Sequence, residues 1–359
     1  MHRVVWFLVP LIAACGSSSD PAPAAKLTPP AAPPATVAAR AAQPSSAESG
    51  VNPRLLRRFK PLRNSIERAN EAPASVAQTD LGRMLFFDVR LSKGRDLSCS
   101  SCHRLDHFGV DNETTSIGAK GLRGRRNSPT VYHAAGHVAA FWDGRAGSVE
   151  EQAKGPILNP AEMAMPDAPT VVATLQKIPG YVTAFHAAFP DEAAPLSYNN
   201  LARAIGAFER KLITPSRWDK YLEGDHAALT EPELKGLKLF TDLGCMTCHT
   251  GEFVGGSMFQ KVGVAAAWPN QADQGRFELT KLAADRMTFK VPSLRDVEKT
   301  APYFHDGSAK TLEEAVTLMA RHQIGEELGQ DDIKSIVAWL GSLTGALPTK
   351  YIERPTLPE

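Results

Sequence analysis

Four of the five cysteines fall in two pentapeptides, Cys99-Ser-Ser-Cys102-His103 and Cys245-Met-Thr-Cys248-His249. Two thiols one helical turn apart can reach the two vinyl groups of one porphyrin, and the histidine that follows projects its imidazole to the iron. A zinc knuckle would want four thiolates converging or further histidines at finger spacing. A redox dithiol or a structural disulfide leaves a histidine after both pairs unexplained. The expectation is two covalently bound haem c groups, held by Cys99 and Cys102 and by Cys245 and Cys248, with His103 and His249 on iron. Iron with a strong ligand on both faces carries electrons, whereas a vacant face binds small oxidants. The remaining ligands therefore decide between a carrier and an enzyme.

Elements must position these pentapeptides, and an internal echo shows how. A Gly-x-x-Leu-Phe pattern precedes each pair, at Gly82, Leu85 and Phe86 and again at Gly236, Leu239 and Phe240. Two copies of one unit are the simplest account. Thr230 with Glu233, and Thr311 with Glu314, have capping-box spacing. Leu201, Ile205, Phe208 and Leu212 trace one helical face, and Ile333, Ile336, Val337, Leu340 and Leu343 another. No sustained alternation predicts long strands. The expected fold is mainly α, two cytochrome c-like haem domains with long loops and few short strands.

The start of the chain has a different chemistry. His2 and Arg3 precede an apolar run from Val4 to Ala14, too short for the ~20 residues that span a bilayer, so it reads as a secretory signal. "LIAAC" resembles a bacterial lipobox ending at Cys15, which would be lipidated and would account for the odd cysteine. Residues 16–50 are Pro, Ala and Ser with almost no large apolar side chain, as expected of a disordered linker. An N-terminal arm over 51–72, a first haem domain over 73–213, a second over 214–345 and a tail over 346–359 complete the expected organisation. The mature protein is thus expected in the periplasm, lipid-anchored at the membrane. With 40 basic and 39 acidic residues the net charge is +1, which gives no electrostatic case for nucleic acid.

"LGRMLFFDVRLS", "RRNSPTV", "FWDGRAGSVEEQAKGPILNPAEM" and "VPSLRDVEKTAPYFHDGSAKTLEEAV", together with the two pentapeptides, resemble the bacterial dihaem cytochrome c peroxidases and their MauG-like relatives. The resemblance covers roughly residues 73–345. It implies a peroxidatic haem at His103 and an electron-transferring haem at His249. It also implies that Glu162 is the catalytic carboxylate, that Gln152 is a pocket amide and that Trp142 lies between the haems. Met319 matches the distal ligand of the second haem, with Met258 and Met287 as rivals; MauG-type relatives tend to place a tyrosine there. Asn127, Thr300 and Pro302 match ligands of a calcium ion, through one side-chain and two backbone oxygens. Implied partners are hydrogen peroxide and a small cytochrome c or cupredoxin, and family members often pair as homodimers.

One departure stands out. Many relatives carry a histidine in the loop after "TSIG" that caps the peroxidatic iron, but here that position is Ala119, and a methyl group cannot ligate iron. The His103 haem is then open at rest, or another histidine substitutes. His107 follows His103 too closely to reach the other face, whereas His133 and His137 could approach from outside. The basic loop residues Lys120, Arg123, Arg125 and Arg126 read as a solvated face. Two rival functions are a MauG-like oxidase of residues on a partner protein and a non-enzymatic dihaem electron carrier.

Overall fold

The computed structural model describes residues 50–63, 66–67 and 73–359. The expected signal and lipobox at Cys15, and nearly all of the 16–50 linker, lie outside the described residues, as does part of the 51–72 arm. Helices dominate, with one small sheet. In chain order the longer helices are α1 (Val76–Phe86), α2 (Val149–Leu158), α3 (Ala168–Gln176), α4 (Pro179–Ala188), α5 (Tyr198–Glu209), α6 (Arg217–Leu222), α7 (Glu231–Asp242), α8 (Leu312–Met319) and α9 (Gln330–Gly341). Strands β1 (Phe259–Lys261) and β2 (Thr288–Lys290) pair antiparallel, Phe259 opposite Lys290. No helix among the described residues is long and apolar enough to cross a membrane.

The helix starts obey local chemistry. At α7 both arms of the capping box form, and Glu233 accepts from the Thr230 N–H at 2.7 Å. At α8 only one arm forms. Thr311 Oγ1 accepts from the Glu314 N–H at 3.1 Å, but the Glu314 carboxylate takes the Lys310 N–H instead. Either arrangement satisfies backbone donors that a helix start leaves orphaned.

The echoed glycines explain themselves in the packing. Gly82 of α1 lies against α5 so closely that an added Cβ would sit 1.8 Å from the Ala204 carbonyl oxygen. Gly236 of α7 meets α9 in the same way, 1.9 Å from the Ser335 oxygen. In both places only a missing side chain lets two backbones touch. The Leu-Phe pairs that follow enter the cores.

There are two such cores. One gathers Leu81, Leu85, Phe86, Tyr181, Phe185, Leu201, Ile205 and Phe208; the other gathers Trp218, Leu237, Phe240, Ile336, Trp339 and Leu340. Each end of the described chain crosses over. Val51, Leu56 and Phe59 pack in the second core, where the Phe59 ring meets Trp218 edge-on at 5.3 Å. Leu347, Tyr351 and Ile352 pack in the first, and Tyr351 stacks on Phe208 at 5.1 Å. The junction between them is buried rather than a loose linker. Thr214 is fully buried and donates to Asp296 Oδ2 at 2.6 Å, while His133 Nε2 donates to Thr214 Oγ1 at 2.9 Å.

Candidate active site

The two pentapeptides form matching turns. Cys99–Cys102 is a single α-turn and Cys245–Thr247 a single 3₁₀ turn. In each, the histidine N–H closes the turn onto the first cysteine's carbonyl, at 2.9 Å for His103 and 3.1 Å for His249. The rings are then fixed from behind. His103 Nδ1–H donates to Gly109 O at 3.1 Å and His249 Nδ1–H to Val254 O at 3.4 Å. That bond selects the tautomer whose Nε2 lone pair is free for a metal. Burial lowers both imidazoles below their ordinary range, His249 to about 4, so each is neutral and ready to ligate. Burial pushes the Cys99 thiol up to about 12 and Cys245 to about 11. All four thiols are free of disulfide bonds. Among the described residues no His, Cys, Asp and Glu cluster of the size a metal ion needs is found.

One cavity of about 1170 Å³ runs between the turns. A site for a single small ligand spans ~300–1,000 Å³, so this one has room beyond a single ligand. Both pentapeptide histidines and all four thiols line it, as do Trp142, Gln152, Glu162, Asn127, Thr300, Pro302 and Met319. Every proposed site residue thus converges on one space. The donor set fits two thioether-linked porphyrins: two free thiols in each turn, a tautomer-fixed imidazole beside them, and apolar walls.

Glu162 follows α2. Pro156 lies inside that helix, Asn159 caps its end, and the Glu162 N–H folds back to Asn159 O at 3.0 Å. The Asn159 side chain then donates to Glu162 Oε1 at 2.7 Å, which fixes the carboxyl by that oxygen. Burial raises the Glu162 pKa, against opposing pulls from Arg145 and Asn159. A second cavity of about 360 Å³, lined by Phe141, Arg145, Gly155 and Asn159, shares Glu162 as a wall. The loop carrying Ala119 is fastened to the same segment. The Ala119 N–H donates to Glu162 O at 2.7 Å, and Gly118 approaches Ala161 O where a Cβ would sit at 2.0 Å.

Over 84% of its length this chain is 45% identical to the cytochrome c551 peroxidase of Pseudomonas aeruginosa, covering 87% of that one. This chain belongs to the di-haem cytochrome c peroxidase family. The family model described as di-haem cytochrome c peroxidase matches residues 76–227. The cytochrome c551 peroxidase of Nitrosomonas europaea is 46% identical, over 80% of this chain and 85% of its own. Among solved structures, a MauG-like protein associated with microbial copper homeostasis superposes with a TM-score of 0.72 at 29% identity, covering 82% of this chain and 98% of that one. Membership in the di-haem peroxidases brings haem c as cofactor.

Several expectations meet correction. His133 is fully buried with Nε2 bonded to Thr214 and Asp296, and it does not line the cavity that the pentapeptides share. His107, already too near His103 in sequence to reach its far face, is exposed and bound to Arg104. Arg126 is no solvated residue: it is drawn inward to Asp143 and Asp273, each at 2.6 Å. Of the rival methionines, Met287 is buried beside Trp268 and Phe289, and neither it nor Met258 lines the cavity. Met319, the last residue of α8, does. Trp142 is half-buried, with Nε1–H donating to Asn127 O at 2.9 Å and its ring edge-on to His305 at 6.4 Å.

Sequence reasoning passed over Asn159 and His305. Asn159 stands in "NPAEM", where an Asx turn before a Pro was readable and its grip on Glu162 was not. His305 stacks on Phe289 at 4.2 Å and leaves Nε2 buried without a partner. Nothing in "YFHDG" distinguishes it locally.

Proposed function

We propose that the protein is a dihaem c-type cytochrome c peroxidase that reduces hydrogen peroxide to water beside His103, with electrons taken up on the His249 side from a small cytochrome c or cupredoxin. The observation that carries this reading is Glu162, a carboxyl with a burial-raised pKa on the wall of the His103 cavity, beside a loop whose iron-capping position is Ala119. When bound, haem c supplies the iron that holds peroxide and delivers electrons for O–O cleavage. Asn159 fixes Glu162 Oε1, so Oε2 is the atom that takes a proton from one peroxide oxygen and returns it to the other. Gln152 offers an amide in the same cavity to orient the bound oxidant. Trp142 occupies the bridging position, and Met319 supplies a thioether to the second iron, which raises that site's potential.

Calcium belongs to the same proposal. The Asn127 amide N–H₂ is committed to Glu113 O and Thr114 O, which leaves Oδ1 as an acceptor. No donor among the described residues reaches the Thr300 or Pro302 carbonyl oxygens, and such neutral oxygens suit Ca²⁺. The leader pattern supports periplasmic placement with a lipid anchor at Cys15, and pairing as a homodimer completes the reading. The deciding experiment is spin resonance of the fully oxidised protein followed by stopped-flow mixing with peroxide. A high-spin signal that binds cyanide at once and fast peroxide consumption are expected. Two purely low-spin irons in every oxidation state would leave an electron carrier.

A further inference from the structure

Lys290 carries a positive charge into the cavity with nothing to balance it. Its side chain is only 7% exposed and lines the cavity shared with both pentapeptides. It forms no ion pair with any Asp or Glu among the described residues; its polar contact is His137 Nδ1, 3.4 Å from Nζ, and His137 Nε2 is itself buried without a partner. Burial alone lowers the ammonium pKa, to about 8, with no acidic neighbour to offset it. Lys290 ends β2, and its backbone N–H donates to Trp142 O at 2.7 Å. The residue is therefore held beside the bridging tryptophan rather than free to reach solvent.

A buried cation without a counter-charge is costly unless a partner arrives. The group that the cavity takes brings its own anions, because each haem c carries two propionate carboxylates. We infer that Lys290, braced by His137, is the positioning residue that receives a haem propionate beside Trp142 and thereby favours reduction of the iron on that porphyrin. The inference rests on haem occupancy of the cavity. His137, which the sequence offered as an iron ligand, takes a different part: its Nδ1 accepts from the ammonium and aims it.

The test is a spectroelectrochemical titration of the holoprotein and of Lys290→Met and Lys290→Arg. With two covalent haems per chain retained, Lys290→Met is expected to shift at least one haem's reduction equilibrium about tenfold toward the oxidised form, ~59 mV for a one-electron couple. Lys290→Arg keeps the charge and is expected to keep both midpoints. If Lys290→Met does not fold, Lys290→Gln read against Lys290→Arg gives the same comparison. Unchanged midpoints in the neutral variant with both haems present overturn the role of Lys290 and leave the peroxidase reading standing. A wild-type protein matured without any covalent haem overturns both.

Discussion

Glu162→Gln isolates the proton-moving step from everything else the side chain does. The amide has the same length and volume, and its oxygen still accepts from Asn159 Nδ2, which lies 2.7 Å from Oε1. The backbone bond from the Ala119 N–H to Glu162 O is untouched. What disappears is the capacity to take and return a proton. General acid–base help contributes ~10²–10⁴ in rate, or roughly 3–5 kcal/mol of barrier, so peroxide turnover is expected to fall at least ~100-fold. Cyanide association with the oxidised protein is expected to stay near wild type, because it asks only for an open iron face. The pH profile adds a second reading. Burial holds the Glu162 pKa above its ordinary value, so wild-type peroxide reaction rises with pH through that raised pKa, and the variant loses this limb. Arg145 opposes the rise, so Arg145→Ala should move the limb to higher pH. Stopped-flow kinetics on the reduced enzyme, across pH and with a cyanide control, measures all of this. A loss below tenfold with cyanide binding intact would refute Glu162 as the proton carrier.

The remaining predictions concern the frame around the site. Gly82→Ala and Gly236→Ala each place a methyl within 2 Å of a backbone oxygen and should each cost about 3 kcal/mol, the upper end for overpacking, in a denaturant titration. Asp219→Asn leaves Arg295, 1% exposed and now bound by two 2.8 Å contacts, without its counter-charge. A loss of about 3–5 kcal/mol is expected from the same measurement. Glu209, 3% exposed, is pushed up to about 8, first by burial and then by Glu150. The folded state therefore holds that proton more tightly than the unfolded chain. Its contribution is fully present below the ordinary carboxyl range and is lost as pH rises toward 8, by roughly 4–5 kcal/mol. Melting of Glu209→Gln should depend less on pH between 5 and 9 than melting of the wild type.

Local chemistry was legible in the sequence wherever it is also sufficient. The pentapeptide turns close on their own backbone, the Thr230 box forms as written, the face from Leu201 to Leu212 enters one core, and Ile336, Val337, Leu340 and Leu343 enter the other. The Gly-x-x-Leu-Phe echo pointed to equivalent helices, although not to the near-contact of backbones that demands the glycine. Charge was harder to read. Arg126 and Lys290 look like any solvent-facing cation in a linear window, because burial is decided by segments distant in sequence: Asp273 lies 147 residues from Arg126. The same holds for His133, whose partners Thr214 and Asp296 arrive from the far side of the junction.

The crossed ends of the chain have a mechanical consequence. Phe59 is wedged between Trp218 and Trp339, and Tyr351 is laid on Phe208 with its hydroxyl donating to Phe208 O at 2.8 Å. Each half is thus buttoned shut by a strap from the other. A chain break near residue 213 would leave each fragment with a segment packed into the core of the other.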